Sequence, residues 1–309
     1  MHMAKDSEPS ARKSVPAMPA DDARATKELE QLFAGGAAPA STPRNADDFI
    51  SQTARTKVAI VVPLFGYWND IKDGFLDEEV LDASLERARS YAHNAYVIIL
   101  AEPQRLPASA AKVINSKFVA GNARGIAMPN GSTYGDYLRK GMQVALTETD
   151  AQFFVFINPW VVIQEHGVDT LIDRINVPDN APVICGYDVH EKLMKESGDD
   201  LNRAGEQFLK YKANAPYELK MLTFNFFGVN RYIAEMCALD PEIKTQTYLE
   251  RDFFQNVAMK GYSAVSSERV PIFSFSFDWR QYVPLEDFES DKAHFLSKWS
   301  FLPDDVRYE

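Results

Sequence analysis

The apolar positions of this chain alternate between unbroken runs and stretches with helical spacing. Val58 to Val62, Tyr96 to Leu100, Phe153 to Ile157 and Pro182 to Cys185 are short and continuous, most of them rich in β-branched or aromatic residues. Such runs predict strands buried on both faces. Between them the spacing lengthens. Asp77 to Tyr91 carries Val80, Leu81, Leu85 and Ala88 on one face, and a second helical segment begins near Ala108. A third follows Gly135, through Tyr137, Leu138, Met142, Val144 and Ala145. A further short strand is expected near Lys117 to Val119. Strands alternating with helices predict an α/β fold, a mostly parallel sheet flanked by helices with right-handed crossovers.

The pattern continues past Phe153 to Ile157 with Val161 to Ile163, a helix over Gly167 to Ile175, and the strand at Pro182. Tyr187 to about Leu219 is charged and predicts a loop, with Asp199 and Asp200 as a solvated pair. Leu222 to Val229 predicts a buried strand, Arg231 to Met236 a helix, and Tyr248 to Met259 a helix stopped by Lys260-Gly261. From Val270 the chain reads as aromatic and irregular. Residues 1–55 differ in composition, being rich in Ala, Pro, Ser and mixed charge and poor in aromatics. They predict a disordered arm ahead of a folded domain spanning 56–309. Within the arm Asp22 to Phe33 has a weak apolar face, either a docking peptide or a transient helix, since an isolated helix so short is marginal in water.

Charge narrows the partners. A net charge of −11 and an isoelectric point near 5.0 speak against a nucleic-acid backbone, whose phosphates need clustered Lys and Arg. No apolar run reaches the roughly 20 residues that span a bilayer, and no secretory apolar segment opens the chain. A cytoplasmic protein without a transmembrane segment is therefore expected. Cys185 and Cys237, both in apolar surroundings, fit buried thiols in a reducing compartment.

In an open α/β sheet, ligands sit beyond the carboxyl ends of the strands. Phe153 to Ile157 ends abruptly at Asn158-Pro159-Trp160, so the chemistry is expected near Asn158. The order of pieces from about Lys57 to Gly261, and more weakly to Trp299, resembles a GT-A glycosyltransferase domain of the family-2 type. VVPLFGYWN resembles the family's strand followed by Pro-x-Tyr-Asn, and Asn130-Gly131 with Gly141 to Ala145 resembles its Asn-x-Gly helix. The central strand resembles the one that ends in Asp-x-Asp. GVNRYIAEMCALDPEI resembles the acceptor-side segment, YLERDFFQNVAMKGY the Glu-Asp-x-Asp helix that closes in Gly-Tyr, and FLSKW a late Lys-Trp element.

The resemblance implies transfer of a sugar from a nucleotide sugar to an unidentified acceptor, whether glycan, protein or small molecule, with inversion. Pro63, Phe65, Gly66, Glu102 and Asn130 would hold the nucleoside, with Phe65 and Gly66 standing where the family has tyrosine and asparagine. Asn158 and Trp160 would lie under the diphosphate and sugar. Glu250 falls on the position of the general base and Asp252 on the final aspartate of that motif. Where the family binds Mn²⁺ or Mg²⁺ through Asp-x-Asp, this chain has an amide and an indole, and a divalent cation wants carboxylate oxygens. Transfer without a metal is the expectation, with His294 and Lys298 as cationic contacts to the diphosphate.

Each assignment has a plainer counterpart. Glu250 could be a helix-surface acid paired with Arg251 or Lys260, and Trp160 could be packing. His190 could replace a metal ligand or be a lone surface histidine. His294 and Lys298 could belong to tail packing through Phe295 and Trp299, and Asp278-Trp279-Arg280 to an acceptor-side lip or to packing. The rival reading is a glycosyltransferase-like domain that has lost catalysis and serves as a binding or structural module, recruited through a protein partner of the N-terminal arm.

Overall fold

The fold is described from a computed structural model, which places residues 20–33, 58–65, 78–91, 95–118, 123–176, 182–211, 218–219, 222–275 and 283–303. Gly66 and Asp278-Trp279-Arg280 lie outside the described residues, as do 1–19 and 34–57, which include most of the arm.

In chain order the elements are α1 (Ala20–Phe33), β1 (Val58–Pro63), α2 (Glu78–Tyr91), β2 (Ala95–Ala101), α3 (Ala108–Lys117), β3 (Ala123–Ala127), α4 (Tyr134–Glu148), β4 (Phe153–Ile157), β5 (Val161–Ile163), α5 (Gly167–Asn176) and β6 (Val183–Asp188). They continue with α6 (His190–Ser197), α7 (Leu201–Lys210), β7 (Glu218–Leu219), β8 (Phe226–Asn230), α8 (Arg231–Met236), α9 (Gln246–Met259), β9 (Ala264–Ser274) and α10 (Leu285–Trp299). Among the described residues nine strands form one sheet, in the order β3-β2-β1-β4-β8-β6-β9-β5 with β7 beside β9.

The half built from β3, β2, β1 and β4 is entirely parallel, as the buried apolar runs predict. Val58 to Val62 are buried on both faces between β2 and β4. Beyond β4 the strand β8 runs antiparallel and pairs Ile157 with Phe226, so the start of β8 lies beside the end of β4. Antiparallel β6 and then parallel β9 follow. One edge of the sheet therefore collects the carboxyl ends of β1, β2, β3, β4, β6 and β9 together with the amino end of β8.

The helix α4 covers this sheet at close range. Its start is fixed by a capping box, in which Thr133 Oγ1 accepts from Asp136 N and Asp136 Oδ2 accepts from Thr133 N. A Cβ at Gly141 would lie 2.5 Å from Val61 Cγ1, so glycine is what lets the helix approach β1.

Four sequence expectations change. The third parallel strand is not at Lys117 to Val119 but at Ala123–Ala127, where Arg124 is exposed on an edge strand and conceals the apolar pattern. The charged stretch after Tyr187 holds two helices, and Asp200 is not merely solvated, because its Oδ1 accepts from Arg203 N as the cap of α7. The region after Val270 is regular: β9 runs through to Ser274, and α10 buries Phe288, Phe295 and Asp291, the last accepting from Lys244 N and Thr245 N. A buried carboxylate in place of an apolar residue had broken the helical period there.

The fourth concerns the arm. Its helix α1 is docked, with Ala25, Leu29, Leu32 and Phe33 buried and Asn115 Nδ2 donating to Ala25 O at 2.8 Å. A Cβ at Gly125 would lie 2.7 Å from Leu32 O, so β3 and α1 meet backbone to backbone. Tertiary packing supplies what the isolated helix lacks.

Candidate functional site

The polar groups at the carboxyl edge form two neighbouring clusters. The first lies past β1, β2 and β3. Pro63 ends β1 in the core, and Leu64 N donates to Leu100 O at 2.8 Å. Glu102, 5% exposed, accepts from Arg105 Nη1 at 2.9 Å, and Gln104 Nε2 donates to Asn130 Oδ1 at 2.5 Å. Phe65 packs edge-on against Tyr134 and Tyr137, with ring centroids 5.7 and 5.5 Å away. Burial first, and then the neighbouring Glu102 carboxylate, raise the Tyr137 phenol above its ordinary pKa.

The second cluster is centred on Asn158, which is fully buried. Its Oδ1 accepts from the Tyr134 hydroxyl at 3.2 Å, and its Nδ2 donates to Asn225 Oδ1 at 3.4 Å. Its own backbone N–H donates to Asn225 O at 2.9 Å, and its carbonyl accepts from Ser84 Oγ at 3.4 Å. Asn225 Oδ1 also accepts from Trp160 Nε1 and from Gln246 Nε2, each at 3.3 Å. Gln246 Nε2 reaches on to Glu250 Oε1 at 2.6 Å. That same oxygen accepts from Phe224 N at 2.8 Å and Thr223 Oγ1 at 3.2 Å. Glu250 Oε2 has no hydrogen-bond partner among the described residues. Burial raises the Glu250 carboxyl above the ordinary glutamate range, against the opposing pull of these donors and Arg251. Glu250 is therefore not a solvated helix-surface acid, and Arg251 turns away to donate to Leu222 O at 3.0 Å.

Asp252 does not join it. Residues two apart on a helix point to different sides. Asp252 Oδ1 accepts from Lys298 Nζ at 2.7 Å and from Trp299 Nε1 at 2.9 Å, in the seam between α9 and α10. His294 and Lys298, expected as diphosphate contacts, are engaged there too, by carboxylates. Lys298 Nζ lies 2.7 Å from Asp240 Oδ2, while the His294 ring nitrogens lie 3.1 Å from Asp240 Oδ2 and 3.2 Å from Glu242 Oε2. Burial alone would raise the Asp240 carboxyl, but Lys298, the Glu242 N–H and His294 outweigh it and hold the group down at about 2. Lys298, despite burial that favours its neutral form, is raised by Asp240 and Asp252.

Trp160 is 3% exposed and its N–H is spent on Asn225, so it supports the cluster instead of offering a stacking face. His190 packs on Phe273 with centroids 5.0 Å apart, in a small separate core with Val189, Leu193, Ala204 and Phe208. Cys185 and Cys237 are buried free thiols; burial raises the first above its ordinary range. The sequence reading missed Asn225, Gln246, Tyr134, Thr223 and Ser84. Of these, Thr223 and Asn225 had a local signal, as the polar residues in an otherwise apolar LTFNFFGV.

The donor set does not suit a divalent cation. The cluster offers amides, an indole and one carboxyl whose Oε1 already takes three donors. Among the described residues no group of three or more His, Cys, Asp or Glu is arranged to hold a metal. Nor is any helix of the described residues long and apolar enough to cross a membrane.

The Tyr134 hydroxyl tests how tightly this network is built. Tyr134→Phe leaves the buried Asn158 Oδ1 without its donor, which is expected to cost about 1–3 kcal/mol in a denaturant titration. Unchanged stability would mean that Asn158 finds another donor.

An α/β sheet with a polar cluster at its carboxyl edge is the class of architecture these observations define. No family model matches the chain, and no curated protein matches it in sequence. Among solved structures it is similar to glucosyl-3-phosphoglycerate synthase from Mycobacterium tuberculosis in complex with Mn²⁺, uridine diphosphate and phosphoglyceric acid, with a TM-score of 0.47, 11% identity, and 87% of this chain and 86% of that chain covered. It is similar also to the mannosyltransferase PcManGT from Pyrobaculum calidifontis in complex with GDP-Man and Mn²⁺, with a TM-score of 0.48, 10% identity, and 90% and 72% covered. Likeness of this degree leaves function to the site itself.

Proposed function

We propose that the protein is a GT-A-type glycosyltransferase that moves a sugar from a nucleotide sugar to an acceptor hydroxyl, with inversion and without a metal ion. The observation that carries the reading is Glu250, a buried carboxyl at the carboxyl edge of the sheet, held by three donors on one oxygen and with the other unengaged among the described residues. The motif order seen in the sequence supports it.

In this reading Pro63, Phe65, Glu102 and Asn130 border the nucleoside. Glu250 takes the proton from the acceptor hydroxyl as that oxygen attacks the anomeric carbon. The bond from that carbon to the diphosphate breaks, and its electrons leave with the nucleoside diphosphate. Holding Oε1 in three hydrogen bonds orients Oε2 before the acceptor arrives.

A second reading, a domain that binds but does not catalyse, is favoured by Asp252, which is committed to Lys298 and Trp299. One experiment addresses both. Uridine, guanosine, cytidine and thymidine diphosphate sugars are added at millimolar concentration, with and without Mn²⁺, while thermal unfolding and nucleoside diphosphate release are followed. A ligand at about a hundred times its Kd adds about 2.7 kcal/mol of apparent stability. One nucleotide class is expected to stabilise the chain and to be turned over equally with and without Mn²⁺. Stabilisation without release would favour the binding module, and a Mn²⁺ requirement would overturn the metal-independent reading. No stabilisation by any of the four would overturn the donor site.

A further inference from the structure

The side chains around Asn225 define which part of the donor this cluster takes. Asn225 Oδ1 accepts from Asn158 Nδ2, Trp160 Nε1 and Gln246 Nε2, and of these the indole N–H of Trp160 is a donor that no rotation can reverse. Rotating the Asn225 amide by half a turn would set its NH₂ against that fixed N–H, so the indole determines its orientation and, through it, those of the two amides that donate to the same oxygen. Its Nδ2 then carries no hydrogen bond among the described residues, on a side chain that is only half-buried. Gln246 is oriented in the same way, with Nε2 spent on Asn225 and Glu250 and its Oε1 without a partner among the described residues. The locked NH₂, the free amide oxygen and Glu250 Oε2 thus stand together as one donor and two acceptors.

The hydrogen bonds that join the cluster include none from a lysine or arginine. A diphosphate is bound by cations or by convergent backbone N–H groups. Among the described residues the one backbone N–H that points at Glu250, from Phe224, is already spent on its carboxyl. Neutral amides beside a carboxyl match instead a ring of hydroxyls, each of which both donates and accepts.

Resting on the glycosyl-transfer reading above, we infer that Asn225 is a specificity-determining residue that donates its Nδ2 hydrogens to the hydroxyl oxygens of the donor's sugar, and that the diphosphate lies outside this cluster. Asn158 and Trp160, expected from the resemblance to lie under the diphosphate and sugar, become positioning residues for Asn225.

The test is calorimetric, on the full chain, with UDP-glucose, GDP-mannose and the corresponding free diphosphates. Wild type is expected to bind one sugar nucleotide more tightly than its free diphosphate. Asn225→Asp keeps an oxygen for the three donors but turns the outward NH₂ into an acceptor. It should abolish that preference, weakening the sugar nucleotide about tenfold or more and leaving the free diphosphate within about twofold. Equal weakening of both ligands, or of neither, overturns the assignment while the donor-site reading stands. Should Asn225→Asp fail to fold, wild type decides, because equal affinity for sugar nucleotide and free diphosphate also overturns it. Binding of neither class overturns the donor-site reading, and this inference with it.

Discussion

Replacing Glu250 by glutamine is expected to lower turnover by about 10²- to 10⁴-fold, the range that a positioned general base supplies, without weakening free nucleoside diphosphate. The amide oxygen can still accept from Phe224 N, Thr223 Oγ1 and Gln246 Nε2, so the cluster stays built. Stability should not fall. Because burial raises the folded-state pKa of Glu250, its favourable contribution is complete below the ordinary glutamate value and is lost as pH rises through the raised one. Above that raised value the ionised carboxyl is a cost, and a neutral amide removes it. The same shift sets the pH profile: the wild-type rate should fall on the acid side at a pH above the ordinary glutamate range, and this limb should vanish in Glu250→Gln. Nucleoside diphosphate release in single-turnover assays between pH 4 and 9 reads both effects. A variant that keeps wild-type turnover would remove Glu250 from the mechanism.

Asp252→Ala is expected to act on stability. Asp252 is fully buried, and its Oδ1 meets Lys298 and Trp299 where α10 packs on α9. Removing one partner of a buried pair costs about 3–5 kcal/mol. Lys298 is one-third exposed and retains Asp240, which places the expectation near the lower figure. For a chain of this size each kcal/mol is about 2–4 °C in Tm. The pH dependence runs opposite to that of Glu250. Asp240, held at about 2, contributes stability that is present above the ordinary aspartate range and is lost as pH falls toward that value. Thermal unfolding of Asp252→Ala and Asp252→Asn measures the effect. An unchanged Tm with lost turnover would return Asp252 to the chemistry.

These two acids mark the line between what was legible in the chain and what was not. The resemblance of YLERDFFQNVAMKGY to a Glu-Asp-x-Asp helix marked both as candidates, but they sit two residues apart on one helix, and a motif does not record which neighbours each side of that helix meets. Three strands of the parallel half, β1, β2 and β4, were legible because burial on both faces demands continuous apolar runs, as in Val58 to Val62 and Phe153 to Ile157; the edge strand β3 was not. The corner at Asn158 was legible for a related reason, since a polar residue ending such a run needs partners and in this sheet topology those partners lie at the ligand edge.

The partners themselves came from far along the chain. Asn225 is 67 residues from Asn158, and Tyr134 is 24 residues from it on the opposite side. They meet because β8 runs antiparallel to β4 and because Gly141 lets α4 settle onto β1. The docked helix α1 and the aspartate-bearing helix α10 were obscured for the same reason. A weak apolar face in one and a buried carboxylate in the other make sense only against the surfaces that receive them. Local pattern thus established the buried strands β1, β2 and β4 and the position of the polar corner after β4, because these follow from the period of burial along one segment. Which carboxyl stands among neutral amides and which is paired with a lysine, which cation is already neutralised and which amide is locked toward a ligand were decided by tertiary packing, because a hydrogen bond is satisfied by whatever lies within about 3 Å in space, regardless of its distance along the chain.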